Sequence, residues 1–121
     1  MKKLLFVVMT VVLATGCAAP AKYNWGGYEN SLYQYYKDPT KAGELSTSLM
    51  EPLQGAEKTQ GTVPPGISAE YGYLLVQQGK AKEAVPYFEK EKTRWPESSY
   101  LMDSMIKTAS SNAKNQPGTK K

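Results

Sequence analysis

The stretch from Ser68 to Pro96, SAEYGYLLVQQGKAKEAVPYFEKEKTRWP, leaves this chain few folds to choose from. Tyr71, Leu74, Leu75 and Gln78 mark one face of a helix, which Gly79 ends as a C-cap. Ala81, Ala84, Val85, Phe88 and Trp95 mark one face of a second helix. Pro86 falls near that helix's first turns, where a missing N–H costs least. Two helices of about a dozen residues joined by Gly79-Lys80 make an antiparallel hairpin. Ala84, small among large neighbours, lets the two backbones approach closely.

The rest of the folded part reads as helices too. Gly26 and Gly27 break any helix, so one starts near Tyr28. Tyr28, Leu32, Tyr35 and Tyr36 follow on one face, and Tyr33 lies off it. These tyrosines either pack on the core with their hydroxyls reaching water or form an aromatic surface for a sugar or partner. Tyr23 and Trp25, ahead of the helix, are the stronger candidates for partner or glycan contact, with Tyr33 beside them. Asp38-Pro39 stops this helix and opens the next, Asp as N-cap and Pro at the first helical position. Ala42, Leu45, Leu49 and Leu53 continue it, and Pro52 should kink or end it around Met50. Polar Gln54 to Thr62 leads to a rigid turn at Val63-Pro64-Pro65-Gly66. After Pro96, Glu97-Ser98-Ser99 offers N-cap chemistry to a last helix, whose face is Met102, Met105, Ile106, Ala109 and Ala113. Such a face either packs as a plain core surface or serves adaptable binding. Residues 112–121, NAKNQPGTKK in sequence, should form a disordered basic tail.

The hairpin resembles a tetratricopeptide repeat, a 34-residue helix-turn-helix unit. With Pro96 as the closing proline, Gly72, Gly79, Ala84 and Phe88 fall on repeat positions. Ser68, Leu75 and Glu91 depart from the repeat's Trp, Tyr and Ala. The expected fold is all-α, a tetratricopeptide-like array of about five helices, with its domain at residues 23–111. The last helix would cover the exposed face of the final unit.

Upstream, Lys2 and Lys3 precede the apolar run Leu4 to Leu13, which ends in Ala14-Thr15-Gly16-Cys17. A basic head, a short apolar middle and small residues at the cut are the layout of a secretory signal peptide. The middle is shorter than the roughly 20 apolar residues that span a bilayer. Leu13, Ala14, Thr15, Gly16 and Cys17 resemble the lipobox of bacterial lipoproteins, although Ala14 holds the place where Leu is commonest. The resemblance implies a signal peptide over residues 1–16, a diacylglycerol on the Cys17 sulfur and an acyl chain such as palmitate on its new amine. Stable anchoring needs more than one chain, which this arrangement supplies. Ala18, in place of Asp, implies export to the outer membrane, with the domain facing the periplasm behind a tether at residues 17–22. The alternative is ordinary cleavage near Ala19 and a soluble periplasmic protein.

Composition narrows the chemistry. Cys17 is the only cysteine, so an intramolecular disulfide is impossible and a free thiol would be a liability unless consumed. Cleavage before Cys17 leaves 105 residues, enough for one domain. The remaining 13 basic and 11 acidic side chains are too balanced for a nucleic-acid binder. Without histidine, Ser-His-Asp and Cys-His catalysis in their usual forms and His-rich metal sites are excluded. Glu29 with Asp38, or Glu89 with Glu91, could be proposed as a carboxylate pair for glycoside hydrolysis, but nothing places either pair across a cleft. Glu beside Lys on a helix is ordinarily a solvated face. The expectation is a chain that is not an enzyme, with no cofactor, metal or small-molecule substrate.

Ordered pieces along the mature chain resemble a family of small bacterial lipoproteins known as a domain of unknown function, number 4810. They are Tyr23-x-Trp25-Gly26-x-Tyr28 with the following Leu32-Tyr33-x-Tyr35-Tyr36-Lys37-Asp38-Pro39, and Val63-Pro64-Pro65-Gly66. Ala69-Glu70-x-Gly72-Tyr73-Leu74 follows, then Glu91-Lys92 ahead of Trp95-Pro96-Glu97-Ser98. The resemblance implies action beside other envelope lipoproteins, among them a curli-secretion-channel-like (CsgG-like) one, as an interaction or scaffold module. A peptidoglycan- or glycan-binding lipoprotein using the N-terminal aromatics is the alternative.

Overall fold

The structure, a computed structural model, describes residues 1, 22–59 and 61–115. The fold is all-α: among these residues there are five α-helices and no strand. They are α1 (Tyr28–Lys37), α2 (Ala42–Thr59), α3 (Ile67–Gln77), α4 (Ala81–Arg94) and α5 (Ser99–Asn115). Short 3-10 turns, Pro39–Lys41 and Pro96–Ser98, lead into α2 and α5. Each helix packs chiefly on its neighbours in the chain. No helix among the described residues is long and apolar enough to cross a membrane.

The boundaries follow from local chemistry. At the end of α3, Gly79 adopts φ 77°, and its N–H donates to the Val76 carbonyl while Lys80 N–H donates to Leu75. That is a Schellman termination, which needs a left-handed residue and so selects Gly. The chain then re-enters α4 at Ala81, completing the expected hairpin. Asp38 Oδ1 accepts from Thr40 N–H at 3.1 Å, so it caps the 3-10 turn ahead of α2. α4 stops at Trp95 because Pro96 disfavours helical geometry in the residue before it.

Four expectations need correction. α2 does not end near Met50; it runs through Pro52 to Thr59. Leu49, Pro52 and Leu53 are all buried there, and that apolar burial offsets the roughly 3 kcal/mol cost of an interior proline. Gln78 caps α3 in solvent instead of sharing its inner face, which consists of Ile67, Ser68, Gly72, Leu74 and Leu75. Ser98 and Ser99 do not cap α5 as acceptors; their hydroxyls donate back to the Trp95 and Pro96 carbonyls. Residues 112–115, assigned to a tail, are the last turn of α5, where Ala113 still packs on the core.

The core has two parts. Leu45, Leu49, Leu53, Val63, Ile67 and Leu74 form one, with Tyr28, Leu32 and Tyr35 packed against it. Leu75, Ala81, Ala84, Phe88, Met102 and Ala109 form the other, and the α5 face Met102, Met105, Ile106, Ala109 and Ala113 covers it as expected. Tyr71 and Tyr87 contribute to both, their rings edge-to-face at 4.6 Å. α3 approaches α4 closely at Gly72, where a Cβ would lie 2.7 Å from the Phe88 ring.

Candidate interaction surfaces

Two exposed aromatic surfaces and one buried carboxylate stand out. The first surface lies just after the expected tether. Asn24 Oδ1 accepts from Gly26 N–H at 2.9 Å, and Gly26 takes φ 54° with the Glu51 carboxylate where a Cβ would go. This turn lays Trp25 on Tyr28, centroids 6.2 Å apart with rings inclined by 26°. Tyr23 then sits edge-on to both Trp25, at 6.3 Å, and Trp95, at 6.1 Å. The series Tyr28, Trp25, Tyr23, Trp95 therefore ties the N-terminal segment to the C-terminal end of α4. Tyr23 is half-buried and Trp25 is 37% exposed, so Trp25 presents the larger free ring. Tyr33 is not part of this group. It is 55% exposed on α1 with Lys37 Nζ 4.5 Å from its ring centre.

The second surface is a cleft between α1 and α3 that sequence reading did not isolate. Its cavity of about 270 Å³ is lined by Tyr35, Tyr36, Pro39, Glu70, Tyr73 and Gln77 over buried Leu45 and Leu74. The spacing explains the arrangement. Glu70, Tyr73 and Gln77 form one stripe of α3, while Leu74 turns inward. On α1, Tyr28, Leu32 and Tyr35 pack on the core, leaving Tyr36 75% exposed at the cleft. The Tyr35 hydroxyl donates to Gln77 Oε1 at 2.8 Å, joining the two helices. Burial raises the pKa of the half-buried Glu70 carboxyl. Burial, then the Glu70 charge, raises that of the neighbouring Tyr28 hydroxyl.

Glu91, expected on a solvated face, is only 3% exposed, which corrects the reading of Glu89 and Glu91 as one surface pair. Glu89 is exposed on α4, whereas Glu91 points at the start of α3. Gly66 N–H donates to Glu91 Oε1 at 2.6 Å, and the Ser68 and Ala69 amides also favour the ionised carboxylate. The acid thus supplies the anion that a helix N-terminus with no side-chain cap of its own can use. Oε2 has no partner in hydrogen-bonding geometry, nor has the Trp95 indole N–H one turn later. Desolvation outweighs the amides and raises the Glu91 pKa. A repeat alanine replaced by Glu was the visible signal, but its meaning depended on α3 starting opposite it.

Of the other proposed carboxylates, Asp38 is held below its ordinary pKa by the Thr40 hydroxyl and amide, and Glu29 is exposed. No group of three or more potential metal-ligating side chains occurs among the described residues. Leu13, Ala14, Thr15, Gly16 and Cys17 lie outside the described residues. A family model described as "Domain of unknown function (DUF4810)" matches residues 22–105. No curated protein and no solved structure matches the chain.

Proposed function

We propose, for a chain that belongs to the DUF4810 family, the role of a lipid-anchored interaction module of the cell envelope. The observation that carries the reading is Cys17, the sole cysteine, placed directly after a basic head, an apolar run and small residues. Lipidation there would hold the protein at the outer membrane, facing the periplasm, by diacylglycerol and acyl chains together. From Cys17 to Lys22 an extended backbone reaches at most about 18 Å. Tyr23 and Trp25 would therefore stay close to the membrane, while the helices present their clefts to other anchored proteins. Confinement to one surface raises the effective concentration of such partners, so modest contacts suffice. The role is that of a non-enzymatic scaffold, and a CsgG-like lipoprotein is the partner class that the family resemblance suggests.

Crosslinking in intact cells followed by detergent extraction tests this. Co-purification of a CsgG-like or other envelope lipoprotein is expected; recovery of bulk porins alone would contradict it. One observation favours a second reading, direct glycan binding: the Trp25 ring is free on one side and braced by Tyr28 on the other. Binding to peptidoglycan sacculi that is lost in Trp25→Ala would support that reading, and full binding by the variant would remove it.

A further inference from the structure

A carboxylate withdrawn from water ordinarily gains a cation or several N–H donors in exchange. Glu91 follows that rule, and Glu70 does not. Among the described residues the Glu70 carboxylate takes part in no ion pair and no hydrogen bond, and burial is what raises its pKa. Two basic side chains that neighbour the cleft's Tyr36 and Pro39 in sequence are engaged elsewhere, Lys37 on the Tyr33 ring and Lys41 with Glu44 at 3.5 Å. Around Glu70 stand tyrosine rings whose faces attract cations and whose edges suit methylene groups. The larger groove between α2 and α4 carries its own cations. There Lys90 meets Glu57 at 3.2 Å, and Arg94 donates to the Gly61 carbonyl.

We propose that the α1–α3 cleft binds a lysine or arginine side chain of a partner protein. The methylene stem lies between Tyr36 and Tyr73 over Leu45 and Leu74, and the charged head reaches Glu70. The cleft, about 270 Å³, matches one long side chain in scale, so the recognised element is a basic anchor residue on an exposed segment. This deepens the scaffold reading and rests on it for the partner's being a protein.

The test uses the full-length chain in detergent micelles with ring-13C tyrosine, titrated with Ac-Gly-Lys-Gly-NH2, its norleucine counterpart and a short-chain phosphatidylethanolamine. The lysine peptide should shift the Tyr36 and Tyr73 resonances, and norleucine should not. Glu70→Gln should weaken the lysine response by up to about fivefold. Tyr73→Ala, at an exposed position, should weaken it independently, with the helical circular dichroism of both variants unchanged. Equal response to norleucine, or unchanged lysine affinity in Glu70→Gln, would overturn the proposal. So would a response to the lipid amine alone. The two levels separate: a lipoprotein partner whose co-purification is indifferent to Glu70→Gln sinks the cleft and keeps the scaffold. Specific lysine binding without any lipoprotein partner does the reverse.

Discussion

The two ends of the first α3 turns hold carboxylates that are used in opposite ways. Glu91 reaches the N-terminus of α3 from α4 and is enclosed, with backbone amides for company. Glu70, on α3 itself, is half-buried at an open cleft and has no such company. Burial raises both pKa values, yet only Glu91 is tied into the fold by the groups around it. The difference separates an acid that organises a helix junction from an acid whose carboxylate no neighbouring donor or cation engages. Partners, more than burial, tell the two apart.

The comparison breaks most easily at Glu91. Glu91→Ala strands the Gly66 amide and opens a hole at the α3–α4 junction, and it should lower the unfolding free energy by about 2–3 kcal/mol in urea titrations. A loss below about 0.5 kcal/mol would mean the junction does not depend on the acid. Gly72→Ala should come next, at about 1–2 kcal/mol, because its methyl meets the Phe88 ring. The same substitution at Gly55, inside α2 with open space around it, should instead stabilise by up to about 1 kcal/mol.

Acid dependence sharpens the contrast further. A carboxyl whose folded pKa is raised binds its proton more tightly in the native state, so stability falls as pH rises above the ordinary value of 4.5 toward the raised one. Unfolding midpoints measured upward from pH 4.5 should therefore decline. Glu91→Gln should flatten much of that decline, and Glu70→Gln a smaller part. The smallest effect is on stability at neutral pH, where Glu70→Gln should change the unfolding free energy by no more than about 0.5 kcal/mol. A loss comparable to that of Glu91→Ala would make Glu70 structural and erase the distinction.

Much of the architecture was legible because it is encoded locally. Gly79 fixes a turn through a backbone conformation, and Met102, Met105, Ile106, Ala109 and Ala113 announce a face by spacing. Pro52 misled because its penalty is local while the burial that offsets it, beside Leu49 and Leu53, comes from packing with other elements. Asn112 to Asn115 looked like tail because Asn112, Lys114 and Asn115 are polar and lie just ahead of Pro117-Gly118, although Ala113 continues the inward spacing of α5. The tyrosines of α1 were visible as a set, but not their division into core and cleft members. That division is made by α3, whose Glu70, Tyr73 and Gln77 arrive from more than thirty residues away. Glu91 was hidden for the same reason: a charged residue reads as surface until its partner, the start of another helix, is known.

The proposed role depends on a lipid anchor at Cys17. Intact-mass and peptide mass spectrometry of the protein extracted from membranes tests it most directly. The predicted result is a mature chain of 105 residues beginning at Cys17, its sulfur carrying diacylglycerol and its amine an acyl chain. An unmodified Cys17 thiol, or a chain cut near Ala19 and free of lipid, would contradict it.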